Sequence, residues 1–306
     1  MSAKNWLKFI FLGLVWGSSF LWIKIAVQEV NPFMLVFFRV AFASFGLVLY
    51  FLFLRRRFSL RWWWVYAIIG FFNVAFPFVL ISWAETHISS GLAAILNSTV
   101  PLFTMLIASF FYKEDKLTLA RGIGLAIGFA GVLILSSTRL EGNSEYQTLG
   151  ILAMLVAACC YAASTVFARR VNTAITPQEH SLGQMLAGLV FITPAMLITN
   201  APLQLPHLPL TWTAFAWLGL IGSFVAAVIW FSLIYEVGPS RTSMVTYMFP
   251  LVGVLLGIVF LGEKMSWQLV TGGILILAGI YTVNSRRIAG LIRIGRRASE
   301  AGSANE

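Results

Sequence analysis

The sequence contains little charge. Only 10% of its 306 residues are Asp, Glu, Lys or Arg, whereas 59% are hydrophobic. So few charged side chains cannot cover the water-facing surface of a soluble domain. The composition therefore excludes an ordinary soluble domain and indicates an integral protein of the lipid bilayer.

Cysteine and catalytic motifs are also scarce. The two cysteines, Cys159 and Cys160, are adjacent within an apolar run, which disfavours a structural disulfide. The sequence contains no HExxH pair, no GxSxG motif and no pair of Asp residues within an apolar run. We therefore expect no enzyme activity, no metal and no cofactor.

The hydrophobic residues form ten long runs. They lie at 6–27, 33–54, 62–84, 88–112, 119–137, 148–170, 178–200, 212–236, 240–261 and 266–285. A helix needs about 20 apolar residues to cross a membrane. The runs are continuously apolar, unlike the alternating strands of a membrane barrel. We therefore predict an all-α integral membrane fold with ten transmembrane helices.

Basic residues are distributed unevenly between the predicted loops. With a cytoplasmic N-terminus, seventeen of the 21 Lys and Arg residues lie on the inner side. Three, Lys24, Arg139 and Lys264, lie near the outer side, and Arg39 lies within a span. Cytoplasmic loops of membrane proteins carry such an excess. We therefore expect both termini in the cytoplasm, and the net charge indicates topology rather than nucleic-acid binding.

The chain contains an internal repeat. Glu114 follows Pro101 by thirteen residues, and Glu263 follows Pro250 by the same interval. An offset of 145 residues relates further pairs: Trp16 and Tyr161, Ser19 and Ser164, Lys24 and Arg169, Pro32 and Pro177, and Arg39 and Gln184. The predicted units are 1–140 and 146–290, followed by a basic cytoplasmic tail at 291–306 that we expect to be disordered. Because each unit has five spans, the two are inverted relative to each other, as in transporters whose substrate site lies between the repeats.

Three motifs resemble the drug/metabolite transporter superfamily, in particular its ten-helix EamA-type members. They are WGSSF at 16–20, the block from Gly91 to Leu135, and FLGEKMS at 260–266. Within the superfamily the chain is similar to amino-acid exporters of the YddG type. The resemblance implies a bacterial inner-membrane exporter of small metabolites, including aromatic amino acids. A multidrug transporter or another metabolite transporter of the superfamily is the alternative.

Acidic residues are missing from the centres of the runs. All 11 lie in predicted loops, tails or span ends. Transporters coupled to protons or sodium commonly place an acid within a span. The absence favours facilitated diffusion, with Glu85, Glu236 and His87 left open as coupling groups at a cavity mouth. A channel is disfavoured because the polar residues are scattered over different helices.

Prolines interrupt several predicted spans. Proline removes a backbone hydrogen bond and clashes with the preceding turn, so a helix bends or opens there. Pro101 and Pro250 are related by the repeat, which favours a hinge or gate over a simple packing kink. Pro77 is a further hinge candidate, although it has no proline partner in the second half.

Polar and aromatic residues recur on single faces of the predicted spans. Such side chains face the bundle interior or water, because hydrocarbon offers no hydrogen-bond partners. The predicted substrate-binding residues are Trp16, Ser19, Arg39, Asn73, Phe76, Trp83, Asn97, Ser98, Tyr161, Ser164, Gln184, Trp230 and Tyr247. For each of them the alternative is a structural hydrogen bond or contact between helices.

Arg39 carries the only charge predicted to lie inside a span. A charge in that position is expensive and marks a functional site by default. It could bind the carboxylate of an amino acid or another anion. The alternatives are extension of the side chain to the lipid headgroups and a salt bridge with a loop. Its repeat equivalent, Gln184, is uncharged, so an anion preference would be asymmetric.

Three pairs of glycines allow helices to approach closely. They are Gly13 and Gly17, Gly124 and Gly128, and Gly253 and Gly257. We expect these pairs to pack within the chain and the protein to be a monomer. A dimer through the fifth or tenth span is the alternative.

Overall fold

The computed structural model describes residues 2–112, 117–137, 144–171, 175–199, 205–237 and 242–284. The regular structure of these residues is helical throughout. Nine helices are long and apolar enough to cross a membrane, and a shorter apolar helix follows them. Spans one to ten are Ala3–Ala26, Pro32–Phe53, Leu60–Ala84, Ser90–Phe111, Leu119–Ser136, Glu145–Val171, Pro177–Thr199, Pro209–Trp230, Met244–Leu261 and Trp267–Val283. The predicted all-α membrane fold with ten spans is confirmed.

Capping residues fix where several spans begin. The side chain of Asn31 accepts a hydrogen bond from the amide of Met34, and Pro32 occupies the first helical position of span two. Ser89 caps span four in the same way. A polar side chain at this position pairs with a backbone N–H that has no partner within the helix. At the other end of a span, Gly262 stops span nine with a positive φ of 65°, which glycine adopts without strain.

The packing of the spans is symmetric between the two halves of the chain. Span two packs against span seven, and span five packs against span ten. Span one packs against spans eight and nine, just as span six packs against spans three and four. Span two also contacts span eight, and span seven contacts span three. Each of these contacts has a counterpart between the equivalent spans when the two halves of the chain are exchanged.

Glycines allow spans five and ten to pack backbone against backbone. A Cβ added at Gly279 would lie 2.6 Å from the backbone nitrogen of Gly128, and one added at Gly131 would lie 2.7 Å from the carbonyl oxygen of Gly272. Real Cβ atoms do not approach backbone this closely, so larger residues would separate the helices. The glycines of spans five and ten therefore face each other within the chain.

Spans four and nine are interrupted before their prolines. Span four consists of helices Ser90–Asn97 and Val100–Phe111. Span nine begins with a tight 3₁₀ turn at Ser243–Tyr247, followed by helix Met248–Leu261. Pro101 and Pro250 cause both interruptions, because proline lacks an N–H and clashes with the carbonyl four residues before it. The role of these prolines as hinges stays a prediction.

Spans three and eight each contain a wider π-helical segment. These segments are Gly70–Ala75 and Trp217–Val225. The first precedes Pro77, which explains its irregular hydrogen bonding. The second precedes Ala226, so proline is not required for it. From its prolines, the sequence predicts an irregular helix in span three only, whereas the structure has a π-helical segment in both span three and span eight.

Candidate functional site

The π-helical segment of span eight binds side chains from spans one and two. The indole N–H of Trp16 donates to the carbonyl oxygen of Gly222 at 2.8 Å. The Nε of Arg39 donates to the hydroxyl oxygen of Ser223 at 3.1 Å. Because a π turn shifts the helical hydrogen-bond register, it offers backbone and side-chain acceptors to neighbouring helices. These contacts begin a central polar layer, which consists of Trp16, Arg39, Asn73, Gln184, Gly222 and Ser223.

The other repeat contributes the corresponding contact. The amide Nδ2 of Asn73, in the π segment of span three, donates to Oε1 of Gln184 in span seven at 2.9 Å. Gln184 is the repeat equivalent of Arg39. Each of these two residues thus hydrogen-bonds to the π segment of the opposite half of the chain. The central polar layer therefore joins the two repeats in the middle of the bundle.

Arg39 lies inside the bundle. Its side chain is buried, and its guanidinium carbon lies 3.9 Å from the ring centroid of Phe78. Within the described part of the chain, no carboxylate forms a salt bridge with it. The buried position is the one expected of a functional charge inside the bundle. Stacking on Phe78 leaves the two terminal nitrogens of the guanidinium able to donate two parallel hydrogen bonds to one anion.

An aromatic cluster lies beside this layer. The ring centroids of Trp16 and Trp230 are 5.2 Å apart, and those of Trp16 and Phe249 are 5.9 Å apart. The cluster joins spans one, eight and nine. Both tryptophans are only half-buried, so their faces can contact an apolar or aromatic ligand.

Two further candidates carry polar atoms that lack a partner. Among the described residues, no hydrogen bond reaches Oδ1 of Asn97 or the hydroxyl of Ser164. Buried polar atoms are normally paired, and each exception calls for an explanation such as a bound ligand. In contrast, Ser19 and Ser98 donate to carbonyl oxygens of their own helices, Val15 and Ile95 respectively. Their hydroxyls are satisfied by the fold itself.

The described ring contacts of Phe76 and Trp83 are made outside this cluster. Phe76 stacks on Phe71, with 5.6 Å between ring centroids. Trp83 lies against His87, with 4.6 Å between ring centroids, at the end of span three. Tyr161 and Tyr247 are half-buried, and Tyr161 lies within electrostatic range of Arg39. The role of these residues in substrate binding stays a prediction.

One end of the bundle is tied by charged and polar side chains, and we call it the Lys24 end. The ammonium of Lys24 in span one donates to the carbonyl oxygens of Glu85 at 2.5 Å and Ile88 at 2.8 Å. After span nine, the two carboxylate oxygens of Glu263 accept from the backbone amides of Ser90 at 2.6 Å and Gly91 at 3.0 Å. The carboxylate thereby caps the first helix of span four. The first contact joins span one to the turn after span three, and the second joins span four to the segment after span nine.

Glu29 adds a third tie at the Lys24 end, between spans one and two on one side and span eight on the other. Its carboxylate accepts from the amides of His207 at 2.6 Å and Leu208 at 3.0 Å, and from the hydroxyl of Thr211. The hydrogen bond from Thr211, followed by those from the two amides, holds the pKa of Glu29 below its ordinary value. This contact is therefore present at neutral pH and is lost as the pH falls through that lowered pKa.

The opposite end, which we call the Lys8 end, has an ion pair between spans one and eight. Lys8 Nζ lies 2.5 Å from Oε1 of Glu236 and donates to the hydroxyl of Ser232 at 2.7 Å. Ser232 also donates to Glu236 at 3.0 Å. This pair is partly exposed, so it contributes little to stability. It joins the same two spans that Trp16 and Trp230 join in the centre.

The model of the EamA-like transporter family matches residues 4–137 and 148–285. Together these two matches cover nearly the whole described chain, once in each half. The chain belongs to the EamA-like transporter family.

Similar proteins agree with this membership. The chain is 31% identical to the uncharacterized inner membrane transporter YedA of Escherichia coli strain K12 over 259 residues, covering 83% of this chain and 82% of YedA. It is 25% identical to a probable amino-acid metabolite efflux pump of Salmonella typhimurium over 290 residues, covering 92% of this chain and 95% of the pump. A solved crystal structure matches with a TM-score of 0.64 and 21% identity, covering 92% of this chain and 96% of the other. That last likeness concerns the fold alone.

Sequence reasoning left Glu85 of this EamA-like chain open as a coupling group at a cavity mouth and did not predict its burial. Glu85 was placed at a span end, and it does follow span three directly, but its side chain is completely buried. The available signal was its context, WAETHI, in which apolar residues flank the acid on both sides. The proximity of Glu85 to Lys24, which lies in span one, could not be predicted from that context.

Proposed function

We propose that this EamA-like chain is a secondary transporter that exports small metabolites, foremost amino acids including aromatic ones, from the cytoplasm of a bacterial cell. It works as a monomer in the inner membrane, with both termini in the cytoplasm. The two repeats rock against each other and open the site to either side in turn. The proposal draws its substrate class from the central layer and from the printed name of the Salmonella relative.

The observation that carries the proposal is the buried guanidinium of Arg39 beside an aromatic cluster. An amino acid presents a carboxylate, an ammonium and a side chain. In the proposed complex the fork of Arg39 binds the carboxylate, and the half-buried rings of Trp16 and Trp230 contact an apolar or aromatic side chain. The unpaired oxygens of Asn97 and Ser164 accept hydrogen bonds from the ammonium. These assignments fit the few convergent polar groups of a typical small-molecule site.

A substrate panel in reconstituted vesicles tests this assignment. Liposomes that contain the purified protein are loaded with one labelled amino acid. Unlabelled amino acids and cationic drugs are then compared as competitors for transport of the label. We expect aromatic amino acids to compete best, because their rings contact Trp16 and Trp230. Competition by drugs alone would favour the multidrug alternative and contradict the assigned substrate class.

A matched pair of variants locates the site within the panel experiment. Asn97→Ala removes an unpaired oxygen, so it is expected to change the order of competitors while the protein remains in the membrane. Ser98→Ala, one residue away, removes a hydroxyl that bonds to its own helix, so it is expected to leave the order unchanged. An identical order in both variants would remove Asn97 from the site.

A further inference from the structure

The carboxylate of Glu85 is buried without a hydrogen bond. Glu85 is the first residue after span three, and 0% of its surface is exposed. Within the described ranges, no donor reaches either of its carboxylate oxygens. An ionised carboxylate in such a place lacks both water and donors, which is costly. The environment therefore favours the neutral, proton-bound carboxyl group.

The charged groups around Glu85 do not supply the missing hydrogen bonds. Lys24 from span one, Arg39 from span two and Glu263 from the segment after span nine all lie within electrostatic range. Lys24 directs its described hydrogen bonds to two backbone carbonyls. Glu263 directs its carboxylate to two amides at the start of span four. Lys24 and Glu263 are thus engaged elsewhere at this end, and the described hydrogen bond of Arg39 goes to Ser223.

Span six packs against span three and presents no buried charge to Glu85. At the Lys24 end it carries Glu145 and Tyr146, and both are exposed. Tyr146 stacks on His87, with 5.3 Å between ring centroids. His87 in turn contacts Trp83 and the hydroxyl of Thr86. Among the described residues, none of these groups forms a hydrogen bond with the carboxylate of Glu85.

Burial and the neighbouring charges act in opposite directions on this acid. Burial raises the pKa of the Glu85 carboxyl well above its ordinary value, whereas Lys24 and Arg39 lower it and Glu263 raises it further. Burial is the largest of these effects. If the Lys24 end opens during transport, water solvates the carboxylate and the largest effect disappears. The proton is then released to the solution at that end.

We propose that Glu85 is a proton-binding site that links closure of the Lys24 end to uptake of one proton. Closure takes the proton from the solution at that end, and opening returns it there, so no proton crosses the membrane. The pH of that compartment then sets how often the transporter closes at this end. The positive-inside pattern places the Lys24 end at the outer face. This inference rests on the proposed alternating access. It adds a dependence on pH to the facilitated diffusion that the sequence favours.

A reporter thiol measures opening without any substrate. Ser90 is fully buried at the Lys24 end, and no described residue bonds to its hydroxyl, so Ser90→Cys changes few contacts. The two native cysteines are replaced by alanine in the same protein. A membrane-impermeant maleimide then labels Cys at this position when the end opens. Labelling is followed in proteoliposomes between about pH 5 and pH 9, a range that covers a carboxyl pKa raised by burial.

The comparison variant is Glu85→Gln, which keeps the shape and cannot lose a proton. The labelling rate of the Glu85 protein is divided by that of Glu85→Gln at each pH, which cancels the pH dependence of the maleimide reaction. We expect this ratio to rise with pH by up to about tenfold per unit, the limit for one linked proton. A ratio that stays constant over the whole range would overturn the proposal.

Two further variants keep the test decisive. Glu145→Gln removes an exposed acid at the same end and is expected to behave like the protein with Glu85 and Glu145 intact. Lys24→Gln removes a cation that favours the ionised carboxylate, so the upper end of the rise should move to higher pH. If Glu85→Gln fails to fold, the labelling rate of the Glu85 protein is divided by that of Lys24→Gln, and a ratio that stays constant with pH overturns the proposal. Because labelling needs no substrate, a flat ratio contradicts this proton site only, whereas missing substrate exchange with intact pH-dependent labelling contradicts the proposed function only.

Discussion

At the scale of single residues, the proposed site consists of a few polar side chains that the fold holds in unusual positions. Arg39 is buried, stacked on Phe78 and held at Nε by Ser223. A charge in that environment persists only if its remaining nitrogens meet polar groups or an anion. Its orientation is fixed before any ligand arrives, which lowers the entropic cost of binding a carboxylate.

This orientation gives a prediction for Arg39→Lys. Lysine keeps the positive charge but lacks the planar fork and the stacking of arginine. We expect the half-saturating concentration of an amino-acid substrate to rise about tenfold, which corresponds to about 1.4 kcal/mol of lost binding free energy. Exchange of labelled substrate in proteoliposomes measures it.

The control for this prediction is Arg61→Lys. Arg61 lies over the ring of Trp62 in the exposed 3₁₀ turn that begins span three, away from the central layer. Its replacement should leave the half-saturating concentration unchanged. If Arg39→Lys gave the same concentration as this control, the carboxylate would have to bind elsewhere.

At the scale of helices, local irregularities lie opposite each other in the two repeats. Spans four and nine break before prolines, and spans three and eight widen into π segments. The central polar layer is built on these irregular segments, because they provide acceptors that a regular helix keeps for itself. Spans five and ten, in contrast, are regular and pack tightly through glycine.

The tight packing of spans five and ten predicts a contrast between two glycines. Gly279→Ala would place its Cβ 2.6 Å from backbone atoms of span five, so the helices must separate. Overpacking of this kind costs about 1–3 kcal/mol. We expect a lower midpoint of thermal unfolding in detergent and a smaller yield of monodisperse protein.

Gly122→Ala is the matched control on span five. A Cβ there meets no atom within 4 Å, and alanine is the better helix former by about 1 kcal/mol. Its unfolding midpoint should equal or exceed that of the native chain. Equal midpoints for the two variants would mean that the glycine contact between spans five and ten contributes little.

At the scale of the whole molecule, the two halves form one bundle in which the most extensive contacts between spans recur when the halves are exchanged. The ends of the bundle differ in their ties. Glu29, Glu263 and Lys24 fasten the Lys24 end by hydrogen bonds between segments of different repeats or different spans. The Lys8 end has the partly exposed pair of Lys8 and Glu236. Opening the Lys24 end therefore requires several polar contacts, exposed ones of Glu29 and part-buried ones of Glu263 and Lys24, to separate together.

Much of the fold could be predicted from the sequence, because each membrane span is a long, continuous apolar run. The break before Pro101 follows from the chemistry of one residue, and the equivalence of Arg39 and Gln184 follows from one offset. The π segment before Ala226 could not be predicted, since no local signal marks it. The spacing of residues along one helix predicts which face a residue lies on, but it does not predict which residue of another helix it contacts. The burial of Glu85 and the contact of Trp16 with Trp230 are properties of the assembled bundle for this reason.

We propose that this EamA-like chain is a carrier whose site opens to one side at a time. Counterflow in proteoliposomes tests it most directly: vesicles are loaded with excess unlabelled amino acid, and uptake of trace labelled amino acid is followed without any ion gradient. A carrier predicts transient accumulation of label above equilibrium and an initial rate that saturates with substrate concentration. Uptake that never exceeds equilibrium and rises linearly with concentration would contradict the account.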